Sequence, residues 1–200
     1  MTPPDRRLRA DAARNRELLL AAAEDEFAER GLSASIADIA RRAGVAKGTV
    51  FRHFATKEDL IAAIVSEHLA ALIAVAHRLA SSSDPGAALL EFLTVAADQR
   101  RQHDLTFLQS ASDDDPRVTE LRGELHTRLA VLVDRARQAG AIRSDITEMD
   151  VFLLMCAPIH AVENLSAPAP FLWQRYLAII FDGFRPEGAH PLPQPAPTLP

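Results

Sequence analysis

Lys47, Gly48, Thr49 and Arg52 stand close together in a short stretch, KGTVFRHF, with His53 and Lys57 on its far side. Their chemistry is that of polar, cationic recognition. The Arg52 guanidinium suits a bidentate contact to guanine or a grip on a phosphate. Thr49 brings a hydroxyl and a methyl group, and Gly48 has no side chain to hold another surface away. Lys47 lies where a helix would begin, and both its ammonium and the helix N-terminus attract phosphate. A helix advances about 100° per residue, so Val50 and Phe54 share one face and Gly48 and Arg52 the opposite one. Thr49 and Phe51 fall on the flanks. Turning the apolar face inward leaves the Gly48–Thr49–Arg52 side free to enter the major groove of a duplex.

Such a helix needs a partner to seat it, and the residues before it supply one. Counting Ile36 as position one, IADIARRAGVAKGTVFRHF puts Ala40 fifth, Gly44 ninth and Val50 fifteenth. A helix-turn-helix constrains these positions. The fifth must be small because the next helix crosses over it. The ninth must accept a left-handed backbone, which glycine does without steric cost. The fifteenth must be apolar to seat the second helix on the first. Ile39 and Val45 add core contacts, and Ser35 with Asp38 has capping-box spacing.

The rest of the chain is helical in pattern, and no stretch alternates long enough to be a convincing strand. A first helix is predicted from about Asp11 to Arg30, with Leu19, Ala23 and Phe27 on one face and Gly31 as its C-cap. A short third helix covers Lys47 to Phe54. Thr56 and Asp59 form a second possible capping box and open a long fourth helix to about Leu79. Its inward residues are Leu60, Ile61, Ile64, Val65, Leu69 and Leu72. After SSSDPG, Asp84 and Pro85 start a fifth helix to about Arg101. A short sixth is expected near Leu105–Ser110, and a seventh from DDDP to Ala139, closed by Gly140. Thr147 and Asp150 start an eighth, bent at Pro158, and Pro170 starts a ninth to about Phe184. The fold class is therefore all-α, with about nine helices. The expected division is 1–56, 57–185 and a Pro-rich tail, 186–200, expected to be disordered, since six of the thirteen prolines fall after Phe184.

Composition narrows the function classes. With 48% apolar and 24% charged residues, collagen-like, disulfide-scaffold and wholly disordered readings are excluded. The net charge of −5 means that any nucleic-acid surface must be local. Residues 1–60 carry eleven Lys or Arg against ten Asp or Glu, and the first sixteen carry five arginines (Arg6, Arg7, Arg9, Arg14, Arg16) against two acids. This asymmetry hints at nucleic-acid contact near the N-terminus. The single Cys156 rules out an intrachain disulfide and a Cys-based zinc site. The longest uncharged apolar runs are about half the roughly 20 residues that span a bilayer. With no apolar leader either, neither membrane association nor export is expected, and the cytoplasm is the expected location.

GLSASIADIARRAGVAKGTVFRHFATKEDLIAAI resembles the DNA-binding region of the TetR family of bacterial transcriptional regulators. AAAEDEFAERG, SIADIARRAGV, GTVFRHF and TKEDL carry the resemblance, in order and correctly spaced, over roughly Arg14–Ile64. The resemblance implies an N-terminal three-helix reading domain and a C-terminal helical domain that binds a ligand and dimerises. It implies a repressor released from its operator by a small molecule. It also implies that Ser35 binds a phosphate, that Lys47, Gly48, Thr49 and Arg52 approach bases, and that Phe51, His53 and Lys57 contact the backbone. The family usually has tyrosine where this chain has Phe51, so a hydroxyl-to-phosphate bond is missing here.

The second domain offers weaker signals. Phe92, Phe107, Leu125 and Met155 are candidates to line a ligand pocket, although plain core packing explains such residues more simply. Asp113, Asp114 and Asp115 with the histidines suggest a metal, but capping by Asp115 before Pro116 explains the run more simply, so neither metal nor cofactor is expected. The last helix is apolar around much of its girth, which assigns Phe171, Trp173, Leu177 and Ile180 to a homodimer interface. Two copies related by a two-fold axis would read a palindromic double-stranded operator. The competing classes are an enzyme and a protein-binding helical module. No HExxH, GxSxG or phosphate loop is present, so no enzyme is expected.

Overall fold

A computed structural model of the chain describes residues 4–102, 108, 112–163, 170–187 and 189–196. Among them every regular element is helical. Helix α1 spans Pro4–Arg30, a 3-10 turn covers Gly31–Ser33, and α2 (Ile36–Arg42), α3 (Lys47–His53) and α4 (Lys57–Leu79) follow. Then come α5 (Pro85–Gln102), α6 (Pro116–Gln138), α7 (Glu148–Leu154), α8 (Ala157–Glu163) and α9 (Leu172–Phe184). The chain forms two compact units: Met1–His68 with His103–Thr119, and Leu69–Gln102 with Glu120–Pro200.

The helix starts follow from local chemistry. Ser35–Asp38 and Thr147–Asp150 both close as capping boxes. Thr56 and Asp59 exchange the same pair of bonds, at 2.9 and 3.0 Å. Asp84 caps α5 through the Ala87 N–H, and Asp115 caps α6 through the N–H groups of Arg117 and Val118. Each satisfies backbone donors that a helix start leaves open.

In the first unit, Leu19, Leu20, Ala23 and Phe27 of α1 are buried with Ile39, Val50, Phe54 and the Leu60, Ile61, Ile64 and Val65 stripe of α4. By length and composition α4 could cross a bilayer, although no uncharged run of the sequence is that long. Half of its apolar window is buried within the protein, and every residue from Leu60 to Ser66 is buried. Its apolar character is that of a core helix.

In the second unit, α9 packs on α8 and α5. Leu89, Phe92, Leu129, Leu132 and Val133 are buried there with Trp173, Leu177, Phe181 and Phe184. Arg135 of α6 ties down the 80–82 turn by donating to the Ala80 and Ser82 carbonyls. Arg143 makes a forked pair with Asp145, at 2.6 and 2.7 Å, and also donates to the carbonyl of His190 in the irregular segment 189–196.

Two expectations change. The first helix begins at Pro4, seven residues before Asp11. The eighth predicted helix is two helices, α7 and α8, parted at Met155–Cys156. Pro158 has no N–H to return to Leu154, so the ladder cannot continue through it, and α8 restarts with Pro158 in its first turn. The expected helix near Leu105–Ser110 lies outside the described residues except for Leu108, which is helical and buried.

Candidate nucleic-acid interface

The turn between α2 and α3 is built by backbone hydrogen bonds. Gly44 has φ +68, in the left-handed region. Its N–H donates to the Arg41 carbonyl at 3.2 Å, and the Val45 N–H donates to the Ala40 carbonyl at 3.0 Å. This pair of bonds is the Schellman arrangement, which satisfies the last carbonyls of α2 and turns the chain. Ala40 is 3% exposed beneath the turn. Val50 is 0% exposed and seats α3, and Phe54 closes it by donating its N–H to the Val50 carbonyl.

With that face buried, Lys47, Gly48, Phe51 and Arg52 lie exposed and Thr49 half-buried. An added Cβ at Gly48 would meet nothing within 4 Å, so the space in front of it is open. Arg52 donates to the Thr49 hydroxyl oxygen at 2.9 Å, which holds the guanidinium along the helix and leaves the Thr49 O–H free to donate. The Lys47 ammonium sits 5.7 Å from the centre of the Phe51 ring, a cation–π distance. Phe51 thus has a partner that does not need the missing tyrosine hydroxyl. His53 is half-buried beside Phe54 and lines a shallow hollow with Arg16, Asp59 and Arg117.

At the start of α2 the Ser35 hydroxyl donates to the Asp38 carboxylate at 2.5 Å and accepts from the Asp38 N–H at 3.2 Å. These contacts hold the Asp38 carboxyl at about 2, below its ordinary 3.8, first through Ser35 and next through Arg41. A carboxylate already occupies the hydroxyl there, so a phosphate at Ser35 has to compete with it.

The neighbouring cations are braces. Arg42 binds Glu26 at 2.9 Å and Glu29 at 2.6 Å, tying α2 to α1. Glu29 is held below its ordinary range by the Arg42 hydrogen bond, and Arg42 is raised in return. Lys57 donates to the Leu32 carbonyl and lies 5.6 Å from the Phe27 ring centre. Sequence reasoning misses both braces, because their partners lie 16 and 25 residues away. It does not single out Arg41 either, which is exposed at the end of α2, next to the turn.

Residues 19–64 match the family described as bacterial regulatory proteins, tetR family. Residues 84–186 match the C-terminal domain of SbtR-like transcriptional regulators. The chain is 31% identical to the HTH-type transcriptional repressor BepR of Brucella suis over 160 residues, 76% of this chain and 70% of that one. It is 27% identical to the repressor KstR2 of Rhodococcus jostii over 198 residues, 92% of this chain and 97% of that one. The TetR regulatory protein of Mycobacterium vanbaalenii shares its fold with a TM-score of 0.65 and 32% identity, covering 89% of this chain and 99% of that one.

The chain belongs to the TetR family. It is a DNA-binding transcriptional regulator with an N-terminal helix-turn-helix and an all-helical C-terminal domain.

In this TetR-family chain the C-terminal candidates fare unevenly. Phe92 and Leu125 are buried in the second unit and Met155 is half-buried, while Phe107 lies outside the described residues. Of the residues assigned to a subunit interface, Trp173 and Leu177 belong instead to the protomer's own core, at 2% and 3% exposed. The cause is the four-residue step that lines them up with Phe181 on the face α9 buries. Ile180 is half-buried and Phe171 remains 70% exposed, with Ile179 also exposed.

Proposed function

We propose that the chain is a homodimeric repressor that reads a palindromic operator through α3 and releases it when a small-molecule effector binds the C-terminal domain. The observation that carries this is the one-sidedness of α3: Val50 is fully buried while Gly48 and Arg52 face open space. Residues 1–56 do the reading and 57–185 hold effector and partner.

Arg52, oriented by Thr49, contacts a base edge or a phosphate, and Gly48 lets the backbone close on the groove. Lys47, stacked on Phe51, meets the phosphates beside the start of α3, and His53 those beyond its end. Ser35 exchanges Asp38 for a phosphate, or leaves that contact to its neighbours. Lys57 acts mainly as a brace. Two copies place their reading helices about one turn of DNA apart. Phe171, Ile179 and Ile180 supply apolar surface for the pairing.

Two buried polar atoms of the second unit, Trp173 Nε1 and His126 Nδ1, have no hydrogen-bond partner among the described residues. Such groups are costly to leave bare, and an effector carrying polar groups would satisfy them. The sequence of α4 runs through both units and is the physical link for the switch. Moving a population from mostly bound to mostly released takes about 5.5 kcal/mol of differential affinity. The action is binding, without catalysis, and its place is the cytoplasm.

Fluorescence anisotropy against duplexes tiling the DNA that flanks the coding gene tests the proposal. One duplex should bind specifically, and its affinity should fall steeply with salt. Arg52→Ala should relax base preference by about 1–3 kcal/mol without changing the melting temperature. An Arg52→Ala chain that discriminates as the wild type does would overturn the role of α3.

A further inference from the structure

Arg100 stands near the end of α5, in the second unit, and is half-buried. Leu89, Leu93, Ala96 and Ala97 run down the same face of α5 and are all buried, so the guanidinium closes an apolar stripe. One terminal nitrogen donates to Cys156 Sγ at 3.1 Å and the other to His160 Nε2 at 3.0 Å. A guanidinium only donates, so both partners accept, and His160 carries its hydrogen on Nδ1. Sulfur is a weak acceptor, and neither partner is a carboxylate. Asp98, the nearest acid along α5, is engaged by Arg101 at 2.9 Å. The remaining nitrogen, Arg100 Nε, is buried and has no hydrogen-bond partner among the described residues.

The other unsatisfied groups of this unit are of the same kind. Arg128 Nε, His126 Nδ1 and Trp173 Nε1 are also buried without a partner among the described residues. Guanidinium and indole nitrogens donate and cannot accept, so what the unit lacks is an acceptor. Arg128 already has Glu124 at 3.2 Å. Among the described residues Arg100 has no acid at all, and burying a cation without an anion is costly. Phe152 stands one turn before Cys156, and the His126 ring lies 4.5 Å from the Phe152 ring. Trp173 lies on α9, which packs on both α5 and α8. Donors from α5 and α6 thus flank the break between α7 and α8, with a third on the helix packed against α8. His160 is exposed and Cys156 half-buried, so the His160 side of the cluster is open to solvent.

We propose that Arg100 is an anion anchor that takes the carboxylate of an otherwise apolar small molecule. It rests on the C-terminal domain holding the effector, and gives that effector a chemical class, an amphipathic acid with one charge. A carboxylate accepts two parallel N–H bonds from a guanidinium, so it satisfies Nε and supplies the missing negative charge together. The apolar body answers to the surroundings: Leu93, Ala96 and Ala97 lead up to Arg100, and Phe152 lies beside the cluster. An anion on the guanidinium competes with Cys156 and His160 for its N–H groups, and those residues sit where α7 ends and α8 begins.

Isothermal titration calorimetry on the full-length chain compares octanoate with octanamide, and phenylbutyrate with phenylbutanamide. Each pair shares its apolar body and differs in charge. Each acid should bind roughly tenfold or more tightly than its amide, because hydrogen bonds between charged partners are the strong ones. Arg100→Gln should erase that preference. Arg100→Lys keeps the charge but loses the fork, and should retain part of it. The acid–amide comparison on the wild type decides the point even where a variant does not fold. A wild-type chain that binds acid and amide alike, or binds neither, overturns the proposal. So does an Arg100→Gln chain that keeps the preference. The same acids are then added to the complex with the preferred duplex and followed by anisotropy. Acids that bind and leave the duplex in place uphold the anchor and overturn the domain's role as effector site. Release by the amides, with the acids no better, does the reverse.

Discussion

Arg42 and Arg52 are the same residue type on the two helices of one motif, and their surroundings are opposite. The Arg42 guanidinium is divided between Glu26 and Glu29 of α1, and its Glu26 partner is only 2% exposed. Among the described residues the Arg52 guanidinium has one neutral hydrogen bond, to Thr49, and the residue is exposed. Lys57 and Lys47 repeat the contrast. Lys57 is fixed on a carbonyl and over the buried Phe27, whereas Lys47 rests on the exposed Phe51. A cation's role is decided by what lies within reach of it. Acids from another helix make it a brace, and their absence leaves its charge available to a polyanion.

The largest effect should come from removing a brace. Arg42→Ala leaves the buried Glu26 with only the more distant Arg30, at 3.4 Å against 2.9 Å for Arg42, and a buried charge stripped of its closer partner is what makes broken ion pairs costly. Its melting temperature should fall further than that of Arg52→Ala, Gly44→Ala or Ser35→Ala. DNA affinity measured well below that temperature should drop much less than for Arg52→Ala. Equal melting temperatures for Arg42→Ala and the wild type would dissolve the distinction between brace and reader.

The two glycines of the motif sharpen the same contrast. Gly44 holds a left-handed φ with open space around it, so Gly44→Ala meets no clash and pays only for its backbone, about 1–2 kcal/mol of stability by urea titration. Gly48 sits inside α3 with equally open space. There alanine suits the helix better, and Gly48→Ala should raise stability by about 0.5–1 kcal/mol. DNA affinity should nevertheless fall, because the new methyl projects where the groove must approach. A stabilised Gly48→Ala chain with undiminished affinity would remove that face of α3 from the interface.

These glycines also show what the sequence makes legible. Gly44, the capping boxes and the Val50–Phe54 seat depend on residues within a few positions of one another, so spacing alone reveals them. The same holds for the α4 core stripe, since helical periodicity is local. The braces depend on pairs 16 and 25 residues apart, which no local pattern ranks above a solvated surface cation. The last helix shows the other difficulty. Its apolar girth is plain from the sequence, but only packing against α5 and α8 decides that Trp173 and Leu177 turn inward while Phe171 does not. The early start of α1 is hidden because the PDRRLRA stretch ahead of Asp11 carries no apolar period to read.

The smallest effect is expected at the start of α2, where stability should depend on acid. Asp38 titrates at about 2 in the folded chain against an ordinary 3.8, chiefly because Ser35 and then Arg41 donate to its charged form. A folded value below the unfolded one means that the stabilisation is fully present above about pH 4. It is lost as the pH falls toward 2, where the folded carboxylate also takes up its proton. Ser35→Ala removes the leading donor, so its deficit against the wild type should be greatest near neutral pH and shrink through that window. Urea midpoints at several acid pH values measure this. A deficit that stays constant with pH would mean that the hydroxyl acts only as a backbone cap. It would then be free of Asp38, and the one reader tied up by its neighbours would join Arg52 on the open side of the comparison.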